Sequence, residues 1–256
     1  MTKSEEQFRQ RILDLAETAE RRGVPTCTDF MNLNELDIFH NTIRKAPYVK
    51  WRLSGGYAKA ERQLAAFIPD ALYLYGKEDA FQPPIACLKI EPLNQRFAET
   101  LSHRDYLGSI LNLGIDRSVT GDILVEESHA YLFCLEKIAE FLCAELVRVR
   151  HTSVRCTRHE GDIAEIPLHT EQIQGTVASL RLDALLSLAF RESRNSMAGL
   201  IEEGLVFVNG KCITSNGYQI RDMDMISARG KGRFQYMGLL SETKKGRLLV
   251  RLERYV

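Results

Sequence analysis

Residues 181–233 place two short helix patterns directly before a tight hairpin, an order that restricts the fold more than any other feature of this chain. The first apolar stripe recurs at helical spacing and predicts a helix over about 181–190, with Arg181 and Asp183 exposed. Ser193 suits the N-cap of a second helix. That helix carries its own apolar stripe at Met197, Ala198, Leu200 and Ile201.

A hairpin is predicted where the second helix stops. Gly204 is the residue that best tolerates a left-handed helix end, and the apolar run 205–208 is strand-like. Asn209 and Gly210 form the pair that a type I′ turn prefers. Further strands are predicted at 225–228, 234–236 and 248–252. The two helices are therefore expected to pack on a small twisted sheet.

The same region carries an excess of positive charge. From residue 181 to the end there are 13 Lys and Arg against 8 Asp and Glu, a net of +5. The chain balances at 34 against 34, so the remaining 21 basic and 26 acidic residues give residues 1–180 a net of −5. Basic and hydroxyl side chains near turns and helix starts suit phosphate oxygens. We predict RNA contacts from Arg181, Arg191, Ser193, Arg194, Ser196, Lys211, Arg229, Lys231 and Arg233.

The order of residues in this region resembles the S4 domain, an RNA-binding module named after a small-subunit ribosomal protein. Many S4 domains have Gly-Asp before the next strand, where this chain has Met223 and Asp224. The resemblance implies an αL-type S4 RNA-binding domain over residues 178–256. The matching residues are Arg181, Leu182, Asp183, Ser193, Arg194, Ser196, Ala198, Leu200, Ile201, Gly204, Val206, Val208, Asn209 and Gly210.

The remaining composition argues against several protein classes. The six cysteines never form a Cys-x-x-Cys pair, which argues against the common metal and redox motifs. No stretch approaches the roughly 20 apolar residues of a membrane span, and no basic-then-apolar leader opens the chain. Scattered cysteines fit a reducing compartment. We therefore expect a cytoplasmic protein with no metal ion and no cofactor.

Residues 1–80 predict a small, mostly helical α/β domain. Ser4 and Gln7 resemble a capping box before a helix that Gly23 closes. A second helix is predicted from Asn34 to near Pro47. Beyond it we predict a strand at 51–53, a helix at 58–67, a strand at 71–75 and a linker at 77–84.

The turn at Gly55-Gly56-Tyr57 allows two interpretations. Lys59 and Arg62, at the start of the helix predicted after it, could receive a phosphate. Alternatively, the glycines turn the chain and the charges form a solvated helix face. We favour the second interpretation.

Residues 81–172 alternate strand and helix patterns in the order β-α-β-β-α-β, the ferredoxin-like arrangement that RNA-recognition domains also use. Tyr131 and Phe133 share one strand face and could stack on bases. However, their strand lacks the basic-Gly-aromatic run of that motif, and we favour packing against the helices. The strands are predicted at 85–90, 121–125, 131–135 and from 147 onwards, and the helices at 102–114 and 138–146.

Residues 102–105, Ser-His-Arg-Asp, combine types that occur in catalytic relays. His103 and Asp105 are two apart, however, and such neighbours on a helix do not face each other. We interpret Ser102 and Asp105 as a helix cap and Arg104 as an exposed charge. No catalytic residue is predicted.

Motifs upstream extend the resemblance to one bacterial family, the YlmH-type S4 proteins. The matching segments are 55–57, 60–62, 103–108, 113–115 and 121–125. The resemblance implies an α+β chain that binds RNA and associates with the ribosome. It also implies contacts with large-subunit ribosomal RNA and peptidyl-tRNA, in the quality control of stalled translation.

Two other classes of function stay open from the sequence. S4 modules also accompany RNA-modifying and tRNA-charging enzymes, but we find no Gly-rich nucleotide or methyl-donor loop and no clustered metal pattern. A cell-division or membrane-associated adaptor is the other class, and no basic amphipathic helix of convincing length supports it. We expect a monomeric, non-enzymatic RNA-binding protein without membrane association.

Overall fold

The structure, a computed structural model, describes residues 3–70, 72, 81–163, 166, 168–244 and 246–255. Contacts between residues divide the chain into two compact units, 1–166 and 167–256. The strand predicted at 71–75, apart from Leu72, and residues 77–80 of the linker predicted at 77–84 lie outside the described residues.

The first unit begins with helices over a small antiparallel sheet. Helix α1 spans Lys3–Arg22 and therefore already includes Ser4, so the capping box predicted at Ser4 does not mark its start. Asn32 and Glu35 form a capping box instead, at the start of the next helix. The further elements are α2 at Leu33–Thr42, a 3₁₀ turn at Ile43–Lys45, and strands β1 at Thr26–Cys27, β2 at Lys50–Ser54 and β3 at Leu64–Ile68, in the sheet order β1-β3-β2.

The helix predicted at 58–67 is wrong, because residues 64–68 form strand β3. Ala65 and Phe67 pack into the core beneath α1 and α2, whereas Leu64 and Ala66 pack into a second core with Phe30. Alternate residues of a strand point to opposite faces. A continuous apolar run can therefore form a strand when both faces of the sheet are buried. This burial outweighs the helix propensity of the alanines.

The ferredoxin-like prediction for the middle of the chain is confirmed. The elements are β4 at Ile85–Pro92, α3 at His103–Asn112, β5 at Thr120–Val125, β6 at Ala130–Leu135, α4 at Glu136–Glu145, β7 at Arg148–Val149 and β8 at Thr152–Arg158. They form an antiparallel sheet in the order β5-β6-β4-β8-β7. The last strand starts later than predicted, because the chain turns back at Arg150 and only β8 pairs with β4.

The two helices α3 and α4 cover one face of this sheet, in a core that includes Ile110, Leu142 and Leu88. Tyr131 and Phe133 belong to a separate cluster and do not pack against the helices, so that prediction is wrong. The Tyr57 ring stacks on Phe133 at 4.9 Å between centroids. Strand alternation therefore places both aromatic rings on the face opposite the helices.

The second unit packs two helices on an antiparallel sheet. The elements are β9 at Thr170–Val177, α5 at Leu182–Phe190, α6 at Arg194–Glu202, β10 at Val206–Val208, β11 at Lys211–Cys212, β12 at Met225–Ala228, β13 at Gly232–Glu242 and β14 at Leu248–Tyr255. The sheet order is β11-β10-β12-β13-β14-β9. Strand β9 is not among the strands that the sequence predicts, and it pairs with β14 along its whole length.

Local signals in this unit are confirmed. Ser193 caps α6, and Gly204 follows that helix with a φ of 71°. Asn209 and Gly210 both have positive φ, 49° and 76°, as a type I′ turn requires. Met223 adopts a φ of 68°, the left-handed geometry that glycine tolerates best, at the position where many S4 domains have glycine.

Candidate nucleic-acid interface

The first turns of α5 and α6 meet at a single carboxylate. Arg181 is the N-cap residue of α5, and its Nε lies 3.1 Å from Asp183 Oδ1. Arg194 opens α6, and its Nη2 lies 2.5 Å from Asp183 Oδ2. The Asp183 side chain is 8% exposed, against 41% for Arg181 and 50% for Arg194. One buried acid therefore holds two half-exposed guanidiniums in place.

The expectation that Asp183 is exposed is wrong. Helical periodicity leaves Asp183 outside the apolar stripe, but the structure buries it in α5 with Arg194 of α6 against its carboxylate. Burial alone raises the pKa of this carboxyl, yet hydrogen bonds and charges from Arg181 and Arg194 lower it overall. The carboxylate is therefore ionised at neutral pH and neutralises part of the charge of the two arginines.

A second acid connects the loop between the helices to the β12–β13 turn. Glu192 accepts from Ser196 Oγ at 3.1 Å and forms an ion pair with Lys231. Ser193 Oγ accepts from the Ser196 amide N–H at 3.1 Å, which caps α6. The hydrogen bonds lower the pKa of Glu192, chiefly the one from Lys231. Three predicted site residues, Ser193, Ser196 and Lys231, thus converge at the start of α6.

Two more of the predicted arginines lie beside the end of α5. Arg191 adopts a left-handed φ of 56° at the helix C-cap, and its Nη2 lies 2.9 Å from Glu171. Glu171 also binds Arg254 at 2.7 Å. The Arg233 guanidinium lies over the Tyr255 ring at 4.6 Å from its centroid, within the range of a cation–π contact. The Glu171–Arg254 contact depends on the pairing of β9 with β14, and the Arg233–Tyr255 contact on the pairing of β13 with β14.

Lys211 and Arg229 stand at opposite ends of strand β10. Lys211 pairs with Val208 in the hairpin, whereas Arg229 follows Ala228, which pairs with Val206. The rise of a strand separates these two ends by about 7 Å between Cα atoms. Arg229 leads into the turn whose Lys231 reaches the start of α6, and its guanidinium lies over the Phe207 ring at 5.8 Å from the centroid. Lys211 is the predicted site residue that lies apart from the start of α6.

The arrangement suits a phosphate chain. Both Arg181 and Arg194 keep half of their side-chain surface exposed, so N–H groups remain available to phosphate oxygens. Their carboxylate partner restrains their rotamers, which lowers the entropy lost when a ligand binds. The sequence did not indicate the acids Glu171 and Glu192 as part of this surface, because their role depends on contacts between distant segments.

The Gly-Gly-Tyr motif of the first unit has a structural role. The Arg62 side chain donates to the carbonyl oxygens of Thr120 at 3.0 Å, Phe30 at 3.2 Å and Arg117 at 2.9 Å. Burial lowers the pKa of Arg62. With its donors used in this way, Arg62 does not form a phosphate site, and it does not lie on a solvated helix face either. Both interpretations given for this arginine are wrong.

The carboxylate of Asp122 completes this network. It accepts from Tyr57 Oη and the Glu61 amide at 2.7 Å each, and from the Arg62 amide at 3.1 Å. Gly56 lies against Phe133, where a Cβ atom would come within 2.5 Å of the ring. The motif therefore holds the turn after β2 against strands β5 and β6, through hydrogen bonds to Asp122 and packing on Phe133.

The described residues contain no group of three or more His, Cys, Asp or Glu side chains that could hold a metal ion. Over the same residues, no helix is both long and apolar enough to cross a membrane.

Three family profiles match the chain in succession, and together with the basic surface they define an RNA-binding protein of the S4 class. Residues 4–71 match the family described as "YlmH, N-terminal", residues 77–162 match "Putative RNA-binding domain in YlmH", and residues 180–226 match the S4 domain. A relative from Bacillus subtilis (strain 168), "Ribosome-associated protein quality control protein P2", is 30% identical over 256 residues, which is 98% of this chain and 96% of the relative. The chain belongs to the YlmH family.

A solved structure, "Cell division protein ylmH from Streptococcus pneumoniae", is 22% identical to this chain. It covers 62% of this chain and 93% of its own, with a TM-score of 0.47. A TM-score below 0.5 adds no support for a shared fold.

Proposed function

We propose that this chain is a non-catalytic, cytoplasmic RNA-binding factor that associates with the ribosome through its S4 unit. The observation that carries the proposal is the arginine pair Arg181 and Arg194, held by the buried Asp183 at adjacent helix starts. Lys231 and the capped start of α6 extend the same surface. The contact surface consists of Arg181, Arg191, Ser193, Arg194, Ser196, Arg229, Lys231 and Arg233. Lys211 contributes least to RNA binding.

The relative from B. subtilis is named as a ribosome-associated quality control protein, and it aligns with this chain over nearly the full length of both. This supports the ribosome as the place of binding. We infer that the RNA partners are large-subunit ribosomal RNA and peptidyl-tRNA on stalled ribosomes, and that the chain acts as a monomer.

Co-sedimentation with purified bacterial large ribosomal subunits tests the proposal. Arg194→Ala combined with Arg229→Ala removes two cationic contacts, so we expect a fall in affinity of about tenfold or more at moderate salt. The salt dependence of binding should become shallower by about one to two in log–log slope.

Arg21→Ala combined with Arg22→Ala is the matched control. It removes the same charge from exposed positions at the end of α1, and it should bind like the wild type. Equal binding by the S4 variant and this control would remove the S4 surface from the proposal. A wild-type chain that fails to sediment with the subunits would contradict ribosome association itself.

A further inference from the structure

Two apolar side chains protrude from the first unit, beside a cavity that carboxylates line. Phe97 is 80% exposed and Leu93 is 59% exposed, and both belong to the loop between β4 and α3. This loop forms one wall of a cavity of about 260 Å³, and the hairpin turn between β5 and β6 forms another. The two apolar side chains therefore flank the cavity on the side of the loop.

Hydrogen bonds hold this loop at both ends, so the exposure of its aromatic ring is a feature of the fold. The Leu93 amide donates to the Ser153 carbonyl oxygen at 3.0 Å, and the Glu99 amide donates to Thr152 Oγ1 at 3.2 Å. Between these two bonds, a 3₁₀ turn spans Gln95–Phe97. An aromatic ring that a fixed turn holds in water leaves apolar surface to be buried against a partner.

The cavity beside the ring is acidic. Glu99, Glu126 and Glu127 line it, and the lining that the structure describes contains no lysine, arginine or histidine. Arg96 lies in the same loop but outside this lining. Arg150 approaches Glu99, but the atoms are 3.9 Å apart and both side chains are at least one-third exposed, so this ion pair contributes little. Three carboxylates around one cavity therefore attract a cation.

These features favour a protein partner over RNA. Phosphates carry negative charge, so a surface lined by carboxylates repels them. An exposed aromatic ring is typical of the centre of a protein–protein interface. Charge complementarity then requires a partner that supplies lysine or arginine side chains. Proteins that pack against ribosomal RNA have this chemistry, because they neutralise its phosphates.

We propose that Leu93, Phe97 and the acidic cavity bind a basic, partly apolar segment of a protein of the large ribosomal subunit. Apolar side chains of this segment cover Leu93 and Phe97, and its lysine or arginine side chains enter the cavity and pair with the glutamates. The inference rests on the proposed function and goes beyond its RNA contacts, because it adds a protein contact on the same ribosome.

Charge reversal at the cavity separates a protein partner from RNA by the sign of its effect. Glu127→Lys and Glu6→Lys make the same change of charge at exposed positions, the first in the cavity wall and the second on α1. We expect Glu127→Lys to bind purified large subunits about three- to fivefold more weakly than the wild type. Glu6→Lys should bind at least as tightly as the wild type. Equal or tighter binding by Glu127→Lys would overturn the proposal.

Removal of the aromatic ring tests the apolar part of the contact. Phe97→Ser takes away a side chain that is mostly in water, so the fold should keep its stability. We expect it to bind large subunits about five- to tenfold more weakly. Tyr48→Ser removes a half-exposed ring elsewhere in the first unit and should bind like the wild type. Normal binding by Phe97→Ser would contradict the proposal.

Photo-crosslinking identifies the class of partner directly. A benzophenone amino acid in place of Phe97, irradiated in the complex of the full chain with large subunits, should give an adduct to a segment of a ribosomal protein that is rich in lysine or arginine. An adduct to RNA alone, or no adduct, would overturn the proposal.

The failure of this proposal can be distinguished from failure of the proposed function. If Phe97→Ser binds normally while Arg194→Ala with Arg229→Ala binds weakly, the protein contact is wrong and the proposed function stands. Absence of binding by the wild-type chain would overturn both.

Discussion

The buried arginines of the first unit and the surface arginines of the second unit show how differently one residue type serves a fold. Arg62 and Arg117 direct their guanidiniums at backbone carbonyls around β5, and burial lowers the pKa of Arg117 to about 10. Arg181 and Arg194 share a carboxylate instead and stay about half exposed. The first pair is part of the packing, and the second pair is available to a ligand.

The difference teaches that a motif arginine is a candidate for binding only when its donors remain unused. In sequence, Arg62 follows a glycine turn, so a phosphate site there is one of the two interpretations that the motif allows. Its three carbonyl acceptors lie 32 to 58 residues away in sequence, at Phe30, Arg117 and Thr120. Because these distant carbonyl groups accept from the N–H donors of Arg62, the arginine has a structural role and not a binding one.

Arg62→Ala should give the largest effect on stability, and it tests whether this arginine is structural. It removes three hydrogen bonds from buried carbonyl oxygens, of which those of Thr120 and Arg117 keep a second donor. We therefore expect unfolding to become easier by about 2–3 kcal/mol. Denaturant unfolding measures this loss, with Arg22→Ala as the exposed control. Folded Arg62→Ala protein should still bind large subunits, and a loss of binding with unchanged stability would reverse the assignment.

Asp183→Asn should give an intermediate effect, of about 1–2 kcal/mol at pH 7, because Arg181 and Arg194 are half exposed and solvent screens them. The pKa of Asp183 is lowered in the folded chain, since the two arginines outweigh burial. The stabilisation is therefore complete above the unfolded value of about 3.9 and is lost as pH falls through the lower folded value.

The stability difference between wild type and Asp183→Asn should accordingly shrink as the pH falls below about 4. Denaturant unfolding at pH 7, 5 and 3 measures it. A difference that stayed constant over this range would mean that the carboxylate charge does not stabilise the helix pair.

Lys211→Ala should give the smallest effect, and it tests how far the RNA contact surface of the S4 unit extends. Lys211 lies at the far end of β10 from Arg229, so we expect less than about a twofold loss of affinity for large subunits, against about three- to fivefold for Arg229→Ala. Equal losses from the two variants would extend the binding surface across the hairpin.

Much of the second unit could be predicted, because its signals are local. A cap at Ser193, a left-handed stop at Gly204 and the Asn209-Gly210 turn each depend on residues within a few positions. The strand at 64–68 could not be predicted in the same way, since both of its faces are buried by segments elsewhere in the chain. The same holds for β9, whose partner β14 is far away in sequence.

The sequence by itself determined the ferredoxin-like order of the middle domain, the helix-helix-hairpin of the S4 unit and the basic excess that marks it. These follow from periodicity, turn chemistry and charge, which act over short stretches. Only the tertiary structure decided which arginines remain available to a ligand, because the groups that accept hydrogen bonds from the others come from distant segments. Asp183 became the buried centre of the candidate site, and Arg62 became part of the core.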